Sequence, residues 1–115
     1  MEKWMIAKVN WLSPENGGRK TLVPIVTFET TENRYCPIIK FTDEDSKIES
    51  WGSEIYVKTY TNEYESEVKI SYLVDDAPYD QFQIGASFKL YEGRRLVATG
   101  SILGESVPDI GIDTK

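Results

Sequence analysis

The chain has no histidine among its 115 residues and only one cysteine, Cys36. Without imidazole there is no histidine general base, no Ser-His or Cys-His nucleophile pair and no histidine-containing zinc site. A lone cysteine forms no internal disulfide, and no Asn-x-Ser/Thr acceptor occurs, which together point to a reducing, cytoplasmic setting. Long apolar runs are missing too. The N-terminal stretch turns polar at Lys3 and Lys8, so neither a signal peptide nor a membrane span is expected there. Sequence repeats, low-complexity tracts and any sustained 3.6-residue period are also missing, so helices are not expected to build the fold. No catalytic residue, cofactor or metal stands out. The acidic groups Asp43/Glu44/Asp45, Glu63/Glu65/Glu67 and Asp75/Asp76 lack the spacing of a calcium-binding hand.

What is present is enough for one domain with one core: 40% apolar residues, three Trp, seven Tyr and a net charge of −6. Met5, Ala7, Val9 and Trp11 alternate with more polar neighbours, the period-two signature of a half-buried strand. The Leu12–Thr21 stretch, with Pro14, Asn16, Gly17 and Gly18 before Arg19 and Lys20, breaks that strand. Further strands are expected over residues 22–28 (an edge or bulged strand, given Pro24), 34–41, 55–60, 68–74, 87–91 and 96–103. Glu92-Gly93-Arg94-Arg95 reads as the turn of a closing hairpin. The small residues of Val97–Ser101 assign no inward face but mark a crowded wall. Residues 1–104 are read as a β-barrel domain and 105–115 as a C-terminal tail, possible docking points being Ile110 and Ile112.

Read together, the Leu-Ser-Pro-Glu-Asn-Gly-Gly-Arg loop (12–19), the Tyr-Cys-Pro strand (35–37), the Glu-Gly-Arg-Arg hairpin (92–95) and the Val-Ala-Thr-Gly strand (97–100) resemble the C-terminal β-barrel domain of elongation factor Tu. The likeness runs over residues 5–103 in order and approximate spacing. It implies an all-β fold, a closed six-stranded antiparallel Greek-key barrel, here as a freestanding domain. It does not bring a nucleotide site. In Gly17-Gly18-Arg19-Lys20-Thr21, Arg19 stands where a phosphate-binding loop needs glycine before its lysine. In that family the barrel takes part in binding aminoacyl-tRNA, and the resemblance places Arg19, Lys20, Glu92 and Gly93 toward RNA. Arg94 and Arg95 adjoin them.

The overall charge, 13 cations against 19 anions, disfavours RNA as the partner. The expectation is therefore a non-catalytic module that binds a basic protein partner through an acidic surface. Small acidic proteins that neutralise basic nuclease toxins are one class of analogue, by charge alone. Glu63, Glu65 and Glu67 are expected to share one strand face as an acidic stripe. Trp51, beside Ser50 and Gly52 and outside a clear strand, is read as an exposed anchor for that partner.

Overall fold

A computed structural model describes residues 3–41 and 50–106. Six strands account for nearly all of its regular structure: β1 Met5–Trp11, β2 Ile38–Phe41, β3 Trp51–Tyr60, β4 Glu65–Tyr72, β5 Ser87–Glu92 and β6 Arg95–Glu105. The only helical pieces among the described residues are single 3₁₀ turns at Pro14–Asn16 and Tyr79–Gln81. Every strand pairs antiparallel with two neighbours in the closed order β1-β4-β3-β2-β5-β6, so no edge is left open. The all-β, six-stranded closed barrel expected from the sequence is the architecture observed.

Side chains of alternate residues fill the interior. Met5, Ala7, Val9 and Trp11 all point inward, as their period requires, and meet Val68 and Ile70 from β4, Phe88 and Leu90 from β5, and Val97, Ala98 and Ile102 from β6. The Trp11 indole donates to Ser66 Oγ at 2.8 Å, so the core pairs its one indole N–H rather than stranding it. Gly100 faces the same interior. A Cβ there would lie 2.5 Å from the Phe88 ring and 2.6 Å from the Lys8 carbonyl oxygen, which is the crowding anticipated for this strand. Gly100→Ala is expected to cost about 1–3 kcal/mol through overpacking, measurable as a lower urea midpoint with an unchanged slope.

The strand bounds differ from the sequence reading in instructive places. Residues 22–28 form no strand, because Pro24 offers no donor and the segment makes a single sheet bridge, Ile25 to Val57, although Val23 is buried in the core. Sheet pairing between β2 and β3 covers only Ile38↔Gly52 and Ile39↔Trp51. Beyond it the 22–37 segment satisfies β3 through Val26 N–H to the Val57 carbonyl at 2.9 Å and the reciprocal Tyr35–Ile55 pair at 2.8 and 2.9 Å. Glu29 clasps this flap to the barrel through Lys58 (2.8 Å) and Lys69 (2.7 Å). Trp51 opens β3 rather than lying outside it. β6 reaches Glu105, one residue into the stretch read as a tail; the docking assigned to Ile110 and Ile112 lies outside the described residues, as does Asp43/Glu44/Asp45.

The barrel has two unlike ends. At one, the β3–β4 turn, the β5–β6 turn and the loop after β1 gather: Tyr60 pairs Ser66, Glu92 pairs Arg95, and Trp11 N–H bonds the Tyr64 carbonyl. At the other lie the 73–86 connection, the start of β1 and the finish of β6, where Met5 pairs Glu105.

Candidate functional site

At the hairpin end the two glycine-rich corners meet. Ser13 takes hydrogen bonds from the backbone N–H groups of Asn16 and Gly18, both at 2.9 Å, and Gly17 turns the chain at φ 93°. A side chain at Gly18 would overlap the Leu12 carbonyl, so only glycine lets the loop fold back this tightly. That fold delivers Arg19 to the opposite corner. Gly93, with φ 63°, occupies the first central position of the two-residue β5–β6 turn, as a type II′ hairpin requires.

Glu92 is the hub. One carboxylate oxygen accepts both from Arg19, in an ion pair, and from the Tyr35 hydroxyl at 2.5 Å; the other accepts from Arg95 at 3.2 Å. The Arg19 guanidinium also lies 5.0 Å from the Tyr35 ring centroid and donates through Nε to the Thr21 carbonyl at 3.0 Å. Partial burial pushes the Glu92 carboxyl upward, but the hydrogen bonds from Tyr35 and Arg19 and the charge of Arg19 outweigh it. The group is held below the ordinary glutamate value. Burial and then the neighbouring Glu92 push the Tyr35 phenol well above its usual range. A carboxylate held ionised by three donors beside a phenol held protonated is a latch, not an acid–base pair poised near neutrality.

Of the residues at these two corners, then, the fold brings Arg19 and Arg95 onto Glu92 and spends much of their bonding capacity internally. Lys20 and Arg94 are left exposed at the rim, and a cleft of about 260 Å³ lies between Arg19, Lys20, Thr21, Glu92 and Arg95. Tyr35 completes the latch although its sequence position pointed only to a strand face.

The other expected site residues are placed differently. Glu63 is not on β4: the Asn62 side chain accepts from the N–H groups of Tyr64 and Glu65 at 3.0 Å, which makes 61–64 a turn and starts the strand at Glu65. Glu65 and Glu67 alone share the outer strand face, half-buried, and face Asn10 and Lys8 across the β1–β4 ladder. The continuous acidic stripe is therefore corrected to two carboxylates and a detached turn residue. Trp51 is corrected as well. Its ring packs edge-on against the buried Tyr72 at 6.2 Å, half-buried beside the core, because its strand position, opposite the inward Ile39, turns it toward the barrel interior. It is no free anchor.

Exposed acids and apolar side chains instead come together at the opposite end. The 73–86 connection carries Asp75, Asp76 and Asp80 at the surface, and in the same connection Leu73, Val74 and Ile84 are 40%, 46% and 75% exposed. Leu103 on β6, next to the Ile102 carbonyl that accepts from Gly85, adds a further exposed apolar side chain. The connection is itself well anchored: Phe82 is buried, stacked on Tyr72 with ring centroids 4.6 Å apart and 11° between planes.

Cys36 is exposed; partial burial raises its thiol above the usual value, Arg34 opposing and Glu54 adding to the shift, the reverse of an activated nucleophile. Among the described residues no group of three or more Cys, Asp or Glu side chains is arranged to hold a metal ion, and no helix is long and apolar enough to cross a membrane. No protein-family model and no curated protein matches the chain.

Proposed function

We propose that the chain is a non-catalytic, cytoplasmic protein-binding module whose contact surface is the barrel end formed by the 73–86 connection. The observation that carries this reading is the exposure of Leu73, Val74 and Ile84 on the same connection as Asp75, Asp76 and Asp80. Protein interfaces combine an apolar centre with a polar rim, and the charge of that rim selects the partner and steers its approach. An acidic rim on a chain of net charge −6 fits a basic partner. Phe82 holds the connection in place, so the surface is formed before the partner arrives and less ordering entropy is lost on binding. The latch at the far end supports the resemblance to the elongation factor Tu barrel, since the loop and hairpin motifs that carried it are in contact.

The test is affinity capture by the immobilised chain, with the bound protein then titrated against variants. A basic partner should bind more weakly as salt rises, and the Asp75→Lys/Asp76→Lys/Asp80→Lys triple variant should lose it. Ile84→Ala should weaken it by about tenfold. Arg94→Glu, at the other end, should leave it unchanged. Capture that is the same for wild type and both 73–86 variants would refute the assignment of this surface.

A further inference from the structure

The outer wall of β3 departs from the strand pattern. A half-buried strand leaves every second residue solvated, yet Ser53, Glu54, Ile55, Tyr56 and Val57 are buried in an unbroken run. Ile55 and Val57 belong to the interior; Glu54 and Tyr56 point outward and are still only 7% and 6% exposed, because the tip of the 22–37 flap lies over them. Arg34 reaches Glu54 at 3.3 Å, and the Tyr56 hydroxyl donates to the Thr30 carbonyl at 3.3 Å. Glu29 spans the Lys58 and Lys69 ammonium groups. Lys69 also lies 4.9 Å from the ring centroid of Trp4, which packs on Tyr56 at 5.8 Å.

The tip is held differently from the rest of the fold. Every residue from 27 to 34 is exposed, Phe28 at 73%, so the tip buries no apolar side chain of its own. Its backbone joins the sheet on either side, at Val26 and Tyr35; between them the Thr30 and Asn33 N–H groups bond within the tip, to Phe28 and Thr30. Charge does the fastening, through Glu29 to Lys58 and Lys69 and Arg34 to Glu54. Partly exposed pairs of this kind are weak and are screened by salt. Against them stands the desolvation of Glu54, whose one ion-pair partner among the described residues is Arg34. We propose that residues 27–34 are a releasable strap. It lifts as a unit, pivoting where Val26 and Tyr35 bond to β3, while the barrel stays folded, and it uncovers Glu54 and Tyr56 beside Trp4. Segments with few buried apolar contacts open below the cost of global unfolding. Lifting rehydrates Glu54, and salt favours it by weakening the Glu29 clasp, so ionic strength sets how often this acidic and aromatic face is presented. The strap shares no residue with the 73–86 surface, and the two proposals stand or fall separately.

Hydroxyl-radical footprinting of the full chain, with oxidised positions located by mass spectrometry, tests the strap. Oxidation of Tyr56 reports lifting, and that of Tyr72, 1% exposed in the core, reports loss of the barrel. Both are read relative to Phe28, which is exposed already in the closed form. Between about 20 and 500 mM sodium chloride, Tyr56 oxidation should rise severalfold while Tyr72 stays protected. Glu29→Gln should raise Tyr56 oxidation about fivefold at low salt and remove most of the salt response. Glu32→Gln, which removes a carboxylate of the same tip that has no ion pair among the described residues, should behave as wild type. Tyr56 oxidation indifferent to salt and to Glu29→Gln would overturn the proposal. A rise shared by Tyr72 would overturn it too, by making opening and unfolding one event, and an equal effect of Glu32→Gln would do so by assigning the response to net charge instead of the clasp.

Discussion

Phe82→Ala is expected to destabilise the protein by about 3–5 kcal/mol, a large share of what a domain of this size has in reserve. The residue lies in a connection rather than a strand, yet it is 1% exposed. Its ring stacks on Tyr72 and meets Phe41 and Tyr79 edge-on, at 5.6 and 6.0 Å between centroids. It therefore closes the bottom of the barrel as a plug. Removing it leaves a cavity against Tyr72 and Phe41, and it also frees the 3₁₀ turn at Tyr79–Gln81 that the plug anchors. The thermal midpoint should fall by more than about 10 °C. Ile84→Ala, at 75% exposure in the same connection, should stay within about 0.5 kcal/mol of wild type. If partner binding depends on this end, Phe82→Ala weakens it by disordering the surface and Ile84→Ala by removing a contact, and only the first also shifts the midpoint. A loss under about 1 kcal/mol for Phe82→Ala would mean that the connection floats over the barrel instead of sealing it.

Much of the barrel was legible because burial imposes a strict period on a strand. Met5, Ala7, Val9 and Trp11 could only face one way, and the two glycine corners could only be turns. Legibility ends where placement depends on residues far apart in the chain. Tyr35 reads as one more inward aromatic, but its hydroxyl partner is Glu92, 57 positions on, and nothing local records that distance. Two misreadings have local causes. Trp51, beside Ser50 and Gly52, reads as lying outside a clear strand, whereas Gly52 is the strand position that admits Leu73, whose Cδ1 would lie 2.9 Å from any added Cβ. Leu22–Phe28 has strand composition, but Pro24 and an isolated sheet bridge, at Ile25, leave it irregular.

Breaking the latch is expected to have the second largest effect, and its pH dependence has a definite sign. Glu92→Ala strands Arg19 and the Tyr35 hydroxyl in a half-buried setting and should cost about 2–3 kcal/mol at neutral pH, as for hydrogen bonds to a charged group. Glu92→Gln keeps an acceptor for Tyr35 and should cost less. The ionised carboxylate is favoured by the fold, so its folded pKa lies below the unfolded value. Its contribution is therefore complete above the ordinary glutamate pKa of about 4.3 and is lost as pH falls through the lower folded value. Wild type should show an acid-labile increment of stability in that window, measured as urea midpoints against pH, and the Glu92→Gln curve should be flatter there. Arg19→Met and Glu92→Gln should couple by about 1 kcal/mol in a double-mutant cycle. Tyr35→Phe keeps the ring beneath Arg19 but removes the donor, which should cost about 1 kcal/mol and reduce the acid-labile increment without abolishing it. A Glu92→Gln profile that parallels wild type through the acid limb would show that the two corners touch without holding each other. The barrel's closure at this end would then rest on the β5–β6 ladder and the Gly17–Gly18 fold-back alone.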